Sequence, residues 1–118
     1  MARHNELGRE GEKLAVDYLT ENGYEILEQN YRVNKSEIDI IVKKDDIVAF
    51  VEVKTRTTNA FGTPEEFVDD KKKNHIIKVA NFYVIANDIE SKIRFDIIAI
   101  VMGKTPKIQH FEDAYYYF

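Results

Sequence analysis

Two carboxylates and a lysine stand where a bound cation would be useful. Asp39 lies in Glu37-Ile38-Asp39-Ile40-Ile41-Val42, and Glu52 and Lys54 lie in Phe50-Val51-Glu52-Val53-Lys54. Both segments carry the apolar and alternating character of β-strands, and the turn Lys44-Asp45-Asp46 joins them. Residues two apart on a strand share a face, so Glu52 and Lys54 project together while Val51 and Val53 point away. The same rule sets Asp39 on the face opposite Ile38, Ile40 and Val42. A two-residue hairpin loop at Asp45-Asp46 puts Asp39 directly across from Glu52, and a three-residue loop leaves them near neighbours. Opposed side chains have Cβ atoms roughly 4.5–5.5 Å apart, where like charges destabilise the pair. Either one carboxyl takes up a proton or a cation is bound.

Oxygen ligands alone, with no cysteine in the chain and no histidine at ligand spacing, suit a hard ion such as Mg²⁺ or Mn²⁺. Lys54 adds a donor beside it. Two carboxylates, an ion and a lysine form a compact set for phosphodiester hydrolysis, in which the ion activates water and the lysine orients it. The spacing by itself carries little information, because an acid two residues before a lysine recurs at Asp69/Lys71, Asp70/Lys72 and Glu90/Lys92. Only Glu52/Lys54 lies within an apolar strand. Such pairs also decorate solvated sheet faces. Val48 and Phe50 share the face of Glu52, however, and imply that it is covered.

The chain has 118 residues, enough for one domain spanning 1–118 with a real core. Its 44% hydrophobic and 32% charged residues are ordinary for a soluble globular protein. No apolar run approaches a membrane span, and Met-Ala-Arg-His-Asn-Glu lacks the apolar stretch of a signal peptide, so the expectation is a cytoplasmic protein without a membrane partner. The absence of cysteine excludes disulfides, thiolate zinc sites and cysteine nucleophiles. A net charge of −4 runs against nucleic-acid binding, which draws affinity from neutralising phosphates. Local clusters at Lys54, Arg56 and Lys71-Lys72-Lys73 would make a basic cleft on an acidic body.

These residues must be positioned by a small set of elements. Glu6 to Asn22 reads as an amphipathic helix with Leu7, Leu14, Ala15, Tyr18 and Leu19 on one side and Gly23 as its stop. Tyr24 to Arg32 forms a first strand, followed by the two strands of the hairpin. Thr63-Pro64-Glu65-Glu66 has the residues of a helix start, and a helical region runs to about Ala86 with a break near Asp69-Asp70. Lys92 to Met102 alternates as a fourth strand, and Lys107 to Phe111 is a candidate fifth. The order predicts an α/β fold, a mixed sheet of four or five strands flanked by helices on both faces.

Two helices can contribute to the site. Glu12 falls at the edge of the first helix's apolar arc, near Ala15 and Val16, and faces inward unless its head turns to solvent. Lys72 precedes Ile76, Val79 and Tyr83 by four, seven and eleven residues, so it continues the buried stripe toward the sheet, within reach of a phosphate, Glu12 or Glu52. Lys71 and Lys73 are expected to face water. Phe61-Gly62-Thr63-Pro64 reads as a turn, Asp96 as a structural partner of Arg94, and Glu37 as either a ligand or a solvated strand end. His4, His75 and His110 have no mutual metal spacing. Tyr115-Tyr116-Tyr117-Phe118 is expected to dock on the core rather than stack on bases. No glycine-rich phosphate loop, dinucleotide fingerprint or serine elbow competes with the hairpin as the chemical centre.

The chain resembles the bacterial YraN-like family of predicted endonucleases, relatives of Holliday-junction resolvases in the PD-(D/E)xK nuclease superfamily. The likeness is carried, in order, by Gly11-Glu12 with Ala15 and Leu19, Gly23-Tyr24-Glu25-Ile26-Leu27, Asn30-Tyr31-Arg32, Glu37-Ile38-Asp39, Phe50-Val51-Glu52-Val53-Lys54, Phe61-Gly62 with Pro64, Lys72, and Arg94-Phe95-Asp96. It implies a restriction-endonuclease-like fold and a Mg²⁺- or Mn²⁺-dependent endonuclease acting on DNA, branched or structured DNA included. It further implies Asp39 and Glu52 as metal ligands, Lys54 as the catalytic lysine and Glu12 as the helix carboxylate completing the site. Lys72, Arg56, Lys71 and Lys73 would contact DNA. Related resolvases act as paired subunits, which implies a homodimer. Ser36 stands where the family usually carries glycine, so the strand must be entered without glycine's freedom at positive φ. The competing reading is a non-catalytic nucleic-acid-binding or adaptor domain that keeps the nuclease fold.

Overall fold

The computed structural model describes residues 2–57 and 68–115, with side chains from residue 6 onward. Helix α1 (Ala2–Glu21) begins earlier than the apolar periodicity indicated. Periodicity marks only the part that packs, and nothing before Glu6 breaks a helix. At its end Gly23 takes φ +88, and the Tyr24 N–H returns to the Leu19 carbonyl at 2.9 Å, which ends the helix where the sequence placed its stop.

Five strands follow as β1 (Glu25–Val33), β2 (Ser36–Lys44), β3 (Ile47–Arg56), β4 (Lys92–Val101) and β5 (Lys107–Phe111), with α2 (Asp70–Ala86) between β3 and β4. They form one sheet in the order β1-β2-β3-β4-β5. Only the β3/β4 pair is parallel, as a crossover through α2 requires. The candidate fifth strand is present at the edge beside β4. This mixed sheet flanked by two helices is consistent with a restriction-endonuclease-like fold.

Each face of the sheet has its own core. Ala15 and Leu19 of α1 pack with Ile40, Val42, Ala49, Val51, Ile98 and Ile100. On the other face Ile76, Val79, Ala80 and Tyr83 of α2 pack with Ile41, Val48, Phe50, Phe95 and Ile97. Burying one such aliphatic side chain stabilises by about 1.5–3 kcal/mol. Helix α1 approaches the sheet closely at Gly11, where a Cβ would run into the Thr55 hydroxyl and lie 2.9 Å from Thr55 Cβ. Glycine is required there because the neighbour is the side chain of a strand residue.

The expected break before α2 is a cap: Asp69 is extended and its carboxylate accepts the Lys72 N–H at 2.8 Å. At the β1–β2 turn the left-handed residue is Asn34 (φ 57), and Ser36 opens β2 opposite Val33 without a positive φ, so glycine is not needed at that position. The Thr63-Pro64-Glu65-Glu66 helix start, the Phe61-Gly62-Thr63-Pro64 turn and residues 116–118 of the tail lie outside the described residues.

Candidate active site

The β2–β3 hairpin closes through Asp45 (φ 54) and Asp46, pairing Lys44 with Ile47 and continuing to Ile40 opposite Val51. One further step along this register sets Asp39 across from Glu52. The ladder does not continue there as a simple pair. The Asp39 Oδ2 atom instead accepts the Val53 N–H at 2.7 Å, so the carboxylate is inserted between the two strands.

Side-chain alternation breaks in β2 at this level. Ile38 and Ile41 both belong to the α2-side core, while Ile40 and Val42 belong to the α1-side core. Strict alternation would have put Ile38 with Ile40 and Val42, and that expectation is corrected here. The β1–β2 register runs unshifted past this level, through Gln29↔Ile40 and Tyr31↔Ile38, and shifts only between Ile26 and Glu28. Asn30, between Gln29 and Tyr31, takes φ 52.

Glu52 is buried, 4% exposed, beneath the first turn of α2. Lys72 Nζ lies 2.9 Å from its Oε2. The angular geometry of that ion pair falls short of a hydrogen bond, leaving Oε2 without a hydrogen-bond partner. Burial, the neighbouring Glu52 and, to a lesser degree, Glu12 push the Asp39 carboxyl up to about 9, against the opposing Val53 N–H. Two carboxylates this close cannot both ionise cheaply without a positive partner. Burial works against the Lys72 ammonium, but Glu52, Asp39 and Glu37 outweigh it and hold its pKa above the ordinary lysine value.

Glu12 is half-buried and its Oε1 accepts the Asn30 side-chain N–H at 2.9 Å. It acts on Asp39 through its charge while staying fastened to β1. Among the described residues no three histidine, cysteine or acidic side chains form a group that could hold a metal. The arrangement is therefore a carboxylate pair with a third acid standing off. That fits Mg²⁺, which keeps several waters and needs only one or two protein carboxylates. The buried Oε2 of Glu52 already faces a positive group, the Lys72 ammonium at 2.9 Å, which a bound ion would share or replace.

Lys54 is half-buried, on the face of Glu52 by strand alternation, and among the described residues no ion pair engages its ammonium. Arg56 and Lys71 are exposed. Lys73 does not face water freely: its ammonium lies 5.5 Å over the Tyr115 ring and 3.9 Å from Asp70. Glu37 pairs with Arg32 across the strand ends at 3.6 Å, the solvated alternative.

A second polar cluster lies on the α1 side. Asp96 is fully buried and accepts two bonds from Arg94, one from the Asp113 N–H at 3.1 Å, and contacts His110 Nε2 at 2.8 Å. Arg94 also donates to the Tyr24 hydroxyl at 2.6 Å, and Tyr18 reaches His110 Nδ1 at 3.1 Å. The expected Arg94–Asp96 pair is present, and Asp96 anchors the loop after β5 as well. His110 is a packing histidine within this cluster. Sequence reading gave Asn30 no role at the site, although asparagine is the residue type most tolerant of positive φ after glycine; Tyr115 docks on the core as expected.

Residues 11–100 match the sequence profile of the family described as "Uncharacterised protein family UPF0102". The chain is 50% identical to a UPF0102 protein of Flavobacterium psychrophilum and 50% identical to one of Christiangramia forsetii, in each case over the whole of both chains. A UPF0102 protein of Thermodesulfovibrio yellowstonii is 45% identical over 94% of this chain and 96% of its own. With the profile covering most of its length and full-length relatives at half identity, the chain belongs to the UPF0102 family.

Proposed function

We propose that the protein is a Mg²⁺- or Mn²⁺-dependent endonuclease that hydrolyses DNA phosphodiester bonds, with branched or otherwise structured DNA among its substrates. The observation that carries this reading is the Asp39–Glu52 pair, two carboxylates brought together at the end of the β2–β3 ladder, one with its pKa raised and the other buried against the Lys72 ammonium. Asp39 and Glu52 would hold the ion and Glu12, tied to Asn30, would order solvent beside it. When bound, the ion supplies charge stabilisation for the phosphate and a lowered pKa for attacking water.

Lys54 positions that water. The water gives up a proton to solvent as its oxygen bonds to phosphorus and one ester P–O bond breaks, and the departing alkoxide takes a proton from solvent to become an alcohol. Lys72, paired with Glu52 in this structure, would turn to a phosphate oxygen where Glu52 holds the ion. The exposed Arg56 and Lys71 follow the DNA backbone, and Lys73 contributes only its distant charge. No helix of the described structure is long and apolar enough to cross a membrane.

The test is incubation with linear, flapped and four-way DNA in Mg²⁺ or Mn²⁺. Wild type should cut at least one substrate, and Glu52→Ala should abolish cutting. Activity surviving Glu52→Ala unchanged sinks the assignment. DNA binding without cleavage and without Mn²⁺ uptake by calorimetry would assign the chain to the adaptor class instead.

A further inference from the structure

Two buried side-chain atoms lack a hydrogen-bond partner among the described residues, Glu52 Oε2 and the Tyr115 hydroxyl. Their residues are 4% and 7% exposed, and buried polar atoms are rarely left unsatisfied in a folded protein. The two lie under the same turn of α2, because Lys72 pairs with Glu52 and the adjacent Lys73 covers the Tyr115 ring. Stacking extends the link. Tyr115 stacks on Phe95 at 5.3 Å, Phe95 stacks on Phe50 at 5.6 Å, and Phe50 shares the strand face of Glu52 two residues away.

The chain after β5 is fastened so as to hold Tyr115 in place. Asp113 N–H bonds Asp96 Oδ1 and Ala114 N–H bonds the Phe95 carbonyl at 2.7 Å. Among charged groups, Glu52 acts on the phenol most strongly.

We propose that Tyr115 is a positioning residue for Glu52: one water accepts the phenol O–H and donates to Glu52 Oε2, fixing the carboxylate in the orientation that receives a cation. Lys72 can donate to the same water as its third partner, which meets the two to four partners a buried water needs. The part of this inference that concerns cations rests on reading Glu52 as a metal ligand. The bridge itself does not.

Tyr115→Phe keeps the ring, its stack on Phe95 and its contact with Lys73, and removes only the hydroxyl. Combined with Glu52→Leu in a double-mutant cycle followed by denaturant unfolding, it should lower the folding equilibrium constant about fivefold with Glu52 present and less than about twofold without it. Equal effects in both backgrounds overturn the bridge. If Glu52→Leu does not fold, the single variant decides: loss of stability supports a satisfied hydroxyl, and unchanged or increased stability overturns it. Calorimetry with Mn²⁺ alone should show affinity weakened about tenfold in Tyr115→Phe, the usual scale for groups that orient a ligand. Wild type that takes up no Mn²⁺ removes the metal reading of Glu52, and the cycle then decides the bridge on its own. Wild type that binds Mn²⁺ with Tyr115→Phe at equal affinity overturns the positioning role alone.

Discussion

Lys72 Nζ lies 2.9 Å from Glu52 Oε2, so the first turn of α2 supplies a positive charge to a carboxylate buried in β3. Removing that charge by Lys72→Ala leaves Glu52 buried without a cation. Because the lysine side chain is 43% exposed, the loss should be discounted to about 1–2 kcal/mol rather than the larger figure for a fully buried pair. Thermal melting should show the deficit shrinking when Mn²⁺ is added, since an ion held by Glu52, as proposed, would replace the ammonium. A variant that melts with wild type in both conditions would show that the pair contributes nothing.

Asp39 makes stability depend on pH in a defined direction. Its ordinary pKa is 3.8, and the folded protein raises it to about 9. Between these values the folded state binds a proton that the unfolded chain has released, so this contribution is complete below about pH 4 and declines as pH rises toward 9. Asp39→Asn keeps an acceptor for the Val53 N–H and removes the charge. Without metal at pH 8 it should stabilise by on the order of 1–3 kcal/mol and flatten the pH profile. It should also lose Mn²⁺ affinity. Denaturant unfolding from pH 5 to 9 measures this, and a variant less stable than wild type at pH 8 would contradict it.

The meeting of Asp39 and Glu52 was legible in the sequence because hairpin register follows from loop length, and Asp45-Asp46 allowed few choices. Lys72 was legible because its stripe with Ile76, Val79 and Tyr83 is a local helical pattern. The break in alternation between Ile38 and Ile40 was not, since the segment reads equally well with Ile38, Ile40 and Val42 on one face. Tyr115 was legible as a residue docked on the core, but its stack on Phe95 and the Asp113–Asp96 bond that fastens its segment were not. Those contacts join residues far apart in the chain, and local patterning does not set them.

Gly11 sets how closely α1, and with it Glu12, approaches the sheet. Gly11→Ala gains up to about 1 kcal/mol of helix propensity. The new Cβ meets the Thr55 side chain, however, and overpacking costs about 1–3 kcal/mol, so the net change should be destabilising. Adding Thr55→Ala removes the hydroxyl and methyl that obstruct it, and should recover most of the loss. A single variant at least as stable as wild type would mean that α1 can move away without penalty.

Asp96 offers a contrast, because its partners lie away from the carboxylate pair. Burial pushes its carboxyl upward, yet His110, Arg94 and the Asp113 N–H outweigh burial and hold it below the ordinary 3.8. The folded state therefore favours the ionised form, and its contribution is present above about pH 4 and lost as pH falls through the lowered folded value. Asp96→Asn would leave the Arg94 guanidinium, 16% exposed, with only the more distant and exposed Glu112 at 3.6 Å as a charged partner and would misplace a donor against it. The expected cost is on the order of 3–5 kcal/mol. Mn²⁺ affinity should change little where the variant still folds, because Asp96, opposite Val51 on β4, turns its carboxylate to the other face of the sheet from Glu52, and the amide of Asp96→Asn keeps an oxygen for the Asp113 N–H that fastens the Tyr115 segment. Unfolding and calorimetry on the same sample would separate the two effects: a large loss of Mn²⁺ affinity at unchanged stability would mean that the α1-side cluster is coupled to the Asp39–Glu52 pair, through the Asp113–Tyr115 segment or across the sheet.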